Sequence, residues 1–288
     1  EEAMCDLRRR PQVQAIQSLV AAADPGVREI AATLVTDKQP LVRAAARTMR
    51  AATLPPAEVV PELVTAIDSR HLGERQAAVV AVGGIDHPAA RDAVATLATR
   101  FEAGSVDPSI ELEVLEAVEK RLGKERAQAL SASRVRPDDP LSAWQDVLAG
   151  GDAASGKAVF LTKTEVSCVR CHKEGKQGGD VGPALDGIAR TRDRRHLLES
   201  IVLPDAKVEE KFRTTVVVTD AGKTIAGIVV SENGTTLTLK NAEGKIVAVP
   251  VKSIDERTSG PSAMPADLVG KMTRRELRDL LEWLGGLK

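Results

Sequence analysis

The pentapeptide Cys168-Val169-Arg170-Cys171-His172 constrains this chain more than any other stretch of its sequence. Two thiols three positions apart on one helical turn can both reach the vinyl groups of one porphyrin, and the next residue then lies under the ring. C-x-x-C-H is the attachment signature of a c-type haem. The motif therefore predicts one covalent haem c, with thioethers from Cys168 and Cys171 and with His172 as an axial ligand of the iron.

A C-x-x-C pair can also be half of a zinc site or a thioredoxin-like redox pair. A zinc site needs further Cys or His ligands close by, and a thioredoxin-like pair needs a βαβ unit, which the flanking sequence does not indicate. The remaining cysteine and histidines are scattered, at Cys5, His71, His87 and His196. Haem is therefore the favoured interpretation, and Cys5 is expected to be a buried or incidental thiol.

The length of 288 residues allows two or three domains, and the net charge of −1 indicates no nucleic-acid surface. Aromatic residues make up 2% of the chain, so Ala, Val and Leu must fill the cores, which suits close-packed helices. No apolar run reaches the roughly 18 residues of a membrane span. The chain opens at Glu1 without a signal peptide, and we expect it to be part of a longer precursor that is periplasmic or otherwise exported.

Residues 1–130 are predicted to form repeated helix pairs. Val42-Arg43 and Glu74-Arg75 each lie near the start of a helix, and the two arginines are 32 residues apart. A second helix, Ala57–Ile67, is predicted between them after Pro55 and Pro56. Its apolar stripe is predicted at Val60, Leu63, Val64 and Ile67.

Further helices are predicted over Ala89–Arg100 and over Ser109–Leu122, the latter closed by Gly123. Pro25-Gly26-Val27-Arg28 begins an earlier copy of the repeat. Helix pairs with a V-R-x-x-A start and a short turn resemble HEAT repeats of a short kind, which stack into an α-solenoid. An ordinary helical bundle is the alternative.

Residues 131–150 are interpreted as a linker, because prolines and charges interrupt the periodicity. A short helix is expected within it, over Leu141–Leu148. Residues 151–288 are predicted to form the second domain, which begins with a helix capped by Asp152. Two more helices are expected, from about Asp193 to Val202 and after a capping box at Thr273–Glu276. The terminal helix has its apolar stripe at Leu277, Leu280, Leu281 and Leu284.

Residues 212–256 change character, because β-branched runs alternate there with glycine-containing turns. A small antiparallel meander or barrel is predicted, with an extended flap as the alternative. The predicted strands are Thr214–Thr219, Thr224–Ser231, Thr235–Leu239 and Ile246–Val251. This β insert contains no His, Met or Cys, so it is expected to supply no axial ligand and to dock a partner or shield the haem edge.

Met264 is the favoured sixth ligand of the iron. It lies between Pro261 and Pro265, in a loop before the terminal helix. A thioether ligand would make the iron six-coordinate and raise its potential, which suits electron transfer. Met272 and His196 are the other candidates.

The order of these features resembles class I cytochrome c. The order is Gly151–Phe160, the Cys168–His172 motif, Gly182-Pro183-Ala184-Leu185, Met264-Pro265 and a Leu-rich terminal helix. The resemblance implies that the carbonyl of Pro183 binds the second ring nitrogen of His172. It also implies that the first and last helices cross at Gly156, Phe160 and Trp283.

The β insert departs from small cytochromes. With it, the chain resembles the haem-binding domain of planctomycete-type multidomain proteins, in which HEAT-like repeats precede the cytochrome. Those domains carry Leu-Leu-x-Ser-Ile-x-x-Pro before the insert, as Leu197–Pro204 does here. The resemblance is strong over 141–288 and loose over 12–130. The predicted fold is therefore mainly α: a HEAT-like α-solenoid, then a class I cytochrome c domain with an inserted antiparallel β unit.

The favoured function is electron transfer through one haem with His/Met ligation, without a catalytic centre in this chain. The expected partners are a donor dehydrogenase, possibly fused upstream, and a periplasmic acceptor. The alternative is a haem-containing scaffold, or a redox or gas sensor, whose solenoid docks a partner. A peroxidase-like enzyme would need an open iron site and usually a second C-x-x-C-H, and the sequence has one.

Overall fold

The computed structural model describes residues 26–288. The chain divides between Asp146 and Val147 into two compact units, so the division falls within the segment predicted as a linker. The fold is mainly helical with a small antiparallel sheet in the second unit. Cys5 and the first residue of the earliest predicted repeat lie outside the described residues. Within residues 26–288, no helix has the length and apolar character needed to cross a membrane.

The first unit consists of consecutive helices joined by short connections. They are α1 (Val27–Leu34), α2 (Pro40–Thr53), α3 (Pro56–Ile67), α4 (Leu72–Gly84), α5 (Pro88–Glu102), α6 (Glu111–Leu122) and α7 (Lys124–Ser133). Proline occupies the first position of α2, α3 and α5. Proline suits that position because its missing N–H would have no partner within the helix. These local signals are why the helix starts could be predicted closely.

The helix predicted over Ala57–Ile67 is present as α3, but its predicted apolar stripe is wrong at one position. Val64 is 41% exposed, and Val59 is buried instead. The helix packs against both α4 and α5, and the stripe is centred between these two neighbours. Buried residues of α3 to α7 form one core, mostly of Ala, Val and Leu around Phe101.

Glu74 is a buried carboxylate that joins α2 to α4, with a side chain only 3% exposed. Its oxygens accept hydrogen bonds from Arg43 Nε at 2.8 Å, Arg43 Nη2 at 2.9 Å and Ser69 Oγ at 2.8 Å. Arg47 donates to the same carboxylate. Burial alone would raise the pKa of Glu74, but the hydrogen bonds from Arg43, Ser69 and Arg47 lower it to about 2. The carboxylate is therefore ionised and fully engaged at neutral pH.

Other ion pairs link residues about one repeat apart. Arg75 Nη1 lies 2.7 Å from Asp107 Oδ2, and Arg100 Nη2 lies 2.8 Å from Asp68 Oδ1. The partners in both pairs are 32 residues apart, the spacing predicted for the repeat. The 32-residue spacing seen in the sequence is thus also the spacing between the partners of both ion pairs.

The second unit begins after a short 3₁₀ segment, Ser142–Val147, where the sequence predicts a helix over Leu141–Leu148. Its helices are α8 (Ala153–Thr162), α9 (Cys168–Cys171), α10 (Arg194–Val202) and α11 (Arg274–Leu284). The side chains of Asp152 and Asp193 cap α8 and α10, and the predicted capping box at Thr273 begins α11. The Leu stripe of α11 is buried as predicted.

The second unit contains two antiparallel sheets. Strands β1 (Lys173–Glu174) and β2 (Gln177–Gly178) form a separate hairpin. The strands of the larger sheet are β3 (Thr214–Thr219), β4 (Thr224–Glu232), β5 (Thr236–Lys240), β6 (Ile246–Pro250) and β7 (Ile254–Ser259). They are arranged in the order β6-β5-β4-β3-β7. Val217, Leu237, Leu239 and Val249 form its core, so the sheet is not a flap without a core.

Strand β7 is missing from the prediction, which ends the β insert at residue 256. It contains Asp255, Glu256 and Arg257, all exposed, so it lacks the apolar alternation that marks a strand. It is nevertheless a strand because its backbone pairs with β3, with Val218 opposite Glu256. The β unit therefore extends to Ser259.

The buried carboxylate of the first unit generates a stability prediction. We expect Glu74→Ala to lower the free energy of unfolding by about 3 to 5 kcal/mol, because it leaves two guanidinium groups without their shared partner. The control is Asp68→Asn at the exposed pair with Arg100, where we expect a loss below about 1 kcal/mol. Urea denaturation of the full chain, followed by far-ultraviolet circular dichroism, measures both. Equal losses in the two variants would contradict a special role for Glu74.

Glu74→Gln gives a second readout of the same carboxylate. The folded-state pKa of about 2 lies below the ordinary value of 4.5. Its stabilising contribution is therefore present above about pH 4.5 and declines as pH falls toward 2. We expect the melting temperature of the wild-type chain to fall more steeply than that of Glu74→Gln between about pH 5 and 3. Parallel pH profiles would count against this.

Candidate functional site

Cys168 and Cys171 lie on the single helical turn α9. Ser167, directly before it, adopts the left-handed conformation with φ 48°, which is uncommon for a residue other than glycine. Its N–H donates to the carbonyl of Lys163 at 2.9 Å, and the N–H of His172 donates to the carbonyl of Cys168 at 3.0 Å. The chain therefore turns sharply into α9. Both thiols lie on this helical turn, and His172 follows directly at its end. The conformation of Ser167 has no signal in the sequence.

Both thiols are free and half-buried. Burial raises the pKa of Cys168 and of Cys171 above the usual value for a thiol. Both are therefore protonated at neutral pH. A nucleophilic redox pair needs the opposite shift, toward a stabilised thiolate. The environment of the pair accordingly disfavours the thioredoxin-like interpretation.

The imidazole of His172 is held by a backbone carbonyl. Its Nδ1 lies 2.9 Å from the carbonyl oxygen of Pro183. A carbonyl can only accept, so Nδ1 carries the proton and Nε2 keeps its lone pair. Burial lowers the pKa of His172, and the bond to Pro183 opposes this with a smaller effect. The ring is thus neutral, with its orientation and tautomer fixed and Nε2 left as the potential metal ligand.

Gly182 permits this bond by lying directly against the ring. A Cβ atom at Gly182 would lie 2.7 Å from His172 Cε1 and 2.9 Å from Nδ1, closer than side chains tolerate. The N–H of Gly182 also donates to the carbonyl of Cys171 at 2.8 Å. The backbone before Pro183 is therefore fixed to the end of α9 and to the face of the imidazole.

The glycine-rich segment 175–182 folds back along the motif. It contains β2, which pairs with β1 directly before the segment in a hairpin that the sequence did not predict. The N–H of Gly179 then donates to the carbonyl of Val169 at 2.9 Å, and that of Leu185 to the carbonyl of Lys173 at 2.8 Å. These bonds bring Pro183 back to His172, eleven residues earlier in the chain.

Met264 is half-buried on the loop between β7 and the 3₁₀ turn Leu268–Lys271. Its N–H donates to Ser262 Oγ at 3.2 Å, and the N–H of Ser262 donates to Asp205 Oδ1. The hydrogen bonds thus bring His172 and Pro183 together, and they tie the loop of Met264 to the chain that follows α10. The two other candidate ligands lie at helix starts: Met272 precedes the cap of α11, and the N–H of His196 binds Asp193 at the start of α10.

The frame around this site is the crossing of α8 and α11. A Cβ atom at Gly156 would lie 1.9 Å from the carbonyl oxygen of Asp279, so the two backbones touch. The rings of Phe160 and Trp283 pack beside the crossing, with centroids 4.7 Å apart. Lys163 Nζ binds Glu276 Oε1 at 2.8 Å one turn further on. The helix that leads into the motif is therefore fixed to the terminal helix.

The two thiols and the imidazole of the motif suit a cofactor that is attached at three separate atoms better than a single metal ion. Among residues 26–288, no three His, Cys, Asp or Glu side chains are grouped so that they could hold one metal ion. That arrangement disfavours the zinc interpretation, which needs convergent ligands. Two uncharged thiols and a neutral, oriented imidazole suit thioether formation at two positions and iron ligation at a third.

No family model matches this chain, and no curated protein matches its sequence. A function must therefore be proposed from the residues and their contacts.

The crossing at Gly156 generates a prediction that does not require the cofactor. Gly156→Ala should lower the free energy of unfolding by about 1 to 3 kcal/mol, because the added methyl group forces α8 and α11 apart. Alanine is intrinsically favoured in helices by about 1 kcal/mol, so propensity alone predicts a gain. Urea denaturation measures the effect, together with the near-ultraviolet signal of Trp283 in a Trp144→Phe background.

Gly84→Ala is the matched control, since Gly84 ends α4 with only Lys120 Nζ near the added Cβ, at 3.9 Å. We expect no loss of stability there. A stable Gly156→Ala variant with an unchanged Trp283 signal would contradict a backbone contact at the crossing.

Proposed function

We propose that residues 147–288 form an electron-transfer module with one covalently attached haem c. Cys168 and Cys171 would form the thioethers, His172 would be the fifth ligand of the iron and Met264 the sixth. The observation that carries the proposal is the hydrogen bond from His172 Nδ1 to the Pro183 carbonyl, which leaves Nε2 free in a neutral ring. An axial ligand of haem iron needs a neutral imidazole with a free Nε2, and this hydrogen bond supplies that arrangement.

The proposed relationship is to class I cytochrome c, in the form found in planctomycete-type haem-binding domains. The crossing of the first and last helices at Gly156 supports it, as does the ring pair Phe160–Trp283. The five-stranded sheet between α10 and the Met264 loop supports the more specific form. For residues 26–133, ion pairs between residues 32 apart support stacked HEAT-like repeats rather than an irregular bundle.

When bound, the haem would supply a one-electron ferric–ferrous couple. The residues of the chain supply the rest. The two thiols provide the sulfur atoms for covalent attachment, and burial keeps both protonated beforehand. Pro183 and Gly182 hold the imidazole in one tautomer and orientation. This would limit rearrangement of the ring if it held the iron of a haem. The loop of Met264 offers a thioether, a ligand that favours the ferrous state.

The proposed setting follows from this chemistry. Haem attachment through thioethers and a one-electron couple suit a relay between a donor dehydrogenase and a periplasmic acceptor. We propose that the module belongs to a larger periplasmic or otherwise exported protein, with the helical unit as a spacer or docking surface. The chain itself would have no catalytic centre.

The first test concerns covalent attachment. The chain is produced together with periplasmic haem-attachment machinery, denatured and extracted with acidified acetone. We expect the haem to stay with the polypeptide, because thioethers survive this treatment. The double variant Cys168→Ala, Cys171→Ala should release it, whereas Cys5→Ala should retain it. Haem that leaves the wild-type chain with the solvent would refute the proposal.

The second test concerns the sixth ligand. The oxidised wild-type protein should show the weak near-infrared band of a ferric iron–thioether bond. Met264→Ala should lose this band, bind added ligands and have a lower midpoint potential, since a thioether favours ferrous iron more than its replacement does. Met272→Ala is the matched control and should change none of these properties.

The same spectra distinguish the alternatives. A spectrum that is indifferent to Met264→Ala but altered by His196→Ala would show bis-histidine ligation. A five-coordinate wild-type iron would instead favour the sensor or scaffold interpretation, in which an external ligand binds the open position.

A further inference from the structure

The five-stranded sheet contacts the loop that holds His172. Lys240, at the end of β5, extends its Nζ to within 2.7 Å of Asp180 Oδ2. The same Nζ lies 3.5 Å from the carbonyl oxygen of Asp180. These partners are 60 residues apart in the chain. One lysine therefore binds both the side chain and the backbone of a single loop residue.

Lys240 itself is in a fixed position. It pairs with Ile228 on one side and with Ile246 on the other, so its backbone is held between two strands. Its side chain is 17% exposed, whereas that of Asp180 is 75% exposed. The sheet thus supplies the more buried partner of this pair, and the loop supplies the more exposed one.

A second observation places the same two segments side by side. Val181 is buried, and a Cβ atom added at Gly244, in the turn between β5 and β6, would lie 3.8 Å from Val181 Cγ2. The turn is therefore close to the residue that follows Asp180. The ion pair at Asp180 and the nearby turn place the sheet along one side of the loop.

The loop continues directly to the imidazole. Asp180 binds Lys240 of the sheet, Gly182 lies against the ring of His172, and Pro183 accepts the hydrogen bond from its Nδ1. The residue that Lys240 binds is therefore separated by at most three peptide units from the residues that contact the ring.

We infer that the inserted sheet is a positioning element for the loop that orients His172, and that Lys240 is its positioning residue. The inference rests on the proposed role of His172 as a haem ligand. It adds a role for the sheet that differs from docking a partner or shielding the haem edge. It also explains how an insert without any His, Met or Cys can influence the site.

The test uses amide hydrogen exchange at Gly182, whose N–H donates to the carbonyl of Cys171. Lys240→Ala in the full chain should speed exchange at Gly182 by roughly twofold to fivefold, the range for a partly exposed ion pair. Lys240→Arg should retain protection. The charge-swapped variant Lys240→Glu with Asp180→Lys should restore it, which a general loss of sheet stability could not explain.

Arg257→Ala is the matched control. Arg257 forms an ion pair with Glu232 in the same sheet, at 2.9 Å, away from the loop. We expect exchange at Gly182 to be unaffected by this change. Equal acceleration in Arg257→Ala and Lys240→Ala would overturn the inference, as would a Gly182 amide that is indifferent to Lys240→Ala or a swapped variant that fails to restore protection.

The measurement is made on chains produced with and without the haem-attachment machinery. Each variant is compared with the wild-type chain in the same haem state, so the effect of Lys240 on exchange at Gly182 is read separately from haem uptake. Failure to attach haem would refute the proposed function alone. Normal attachment with an unresponsive Gly182 would refute the positioning role alone.

Discussion

The hydrogen bond between His172 Nδ1 and the Pro183 carbonyl fixes the backbone around the Cys168–His172 motif. It requires the chain to reverse within eleven residues, which the hairpin of β1 and β2 achieves. It requires a glycine at position 182, because any side chain would overlap the ring. Its chemical consequence is specific: a neutral imidazole with one proton at Nδ1 and a free lone pair at Nε2. The backbone of Gly182 and Pro183 is thus positioned to bind His172 Nδ1.

The crossing of α8 and α11 gives that loop structure a rigid support. Gly156 contacts the backbone of Asp279 directly. Because Gly156 has no side chain, the two helices approach until their backbones touch. Packed interiors leave little freedom for such elements to shift. A side chain on a short turn is held more accurately when the element that leads into it is fixed, and α8 leads into the turn that carries Cys168 and Cys171. The ring pair Phe160–Trp283 contributes to the same support.

The helical unit is organised differently, around charge as well as apolar packing. Burying a carboxylate is costly unless donors replace its lost water, and three side chains do so for Glu74. The pairs Arg75–Asp107 and Arg100–Asp68 are ion pairs nearer the surface. Each contributes less to the free energy of unfolding, because solvent screens the charges. Such pairs join segments that are separated in the chain, in addition to the apolar contacts of the core.

The sequence by itself determined what depends on residues close together in the chain. Prolines marked helix starts, the box at Thr273 marked α11, and glycine-containing turns marked four of the five strands of the larger sheet, because caps and turns are local interactions. It also determined the C-x-x-C-H motif, whose chemistry lies within five residues. Only the tertiary structure decided the strand β7, the exposure of Val64 and the pairing of Lys240 with Asp180. Each of these depends on a neighbour distant in sequence: β3 supplies the backbone partners of β7, α4 and α5 select the buried face of α3, and 60 residues separate the lysine from its carboxylate.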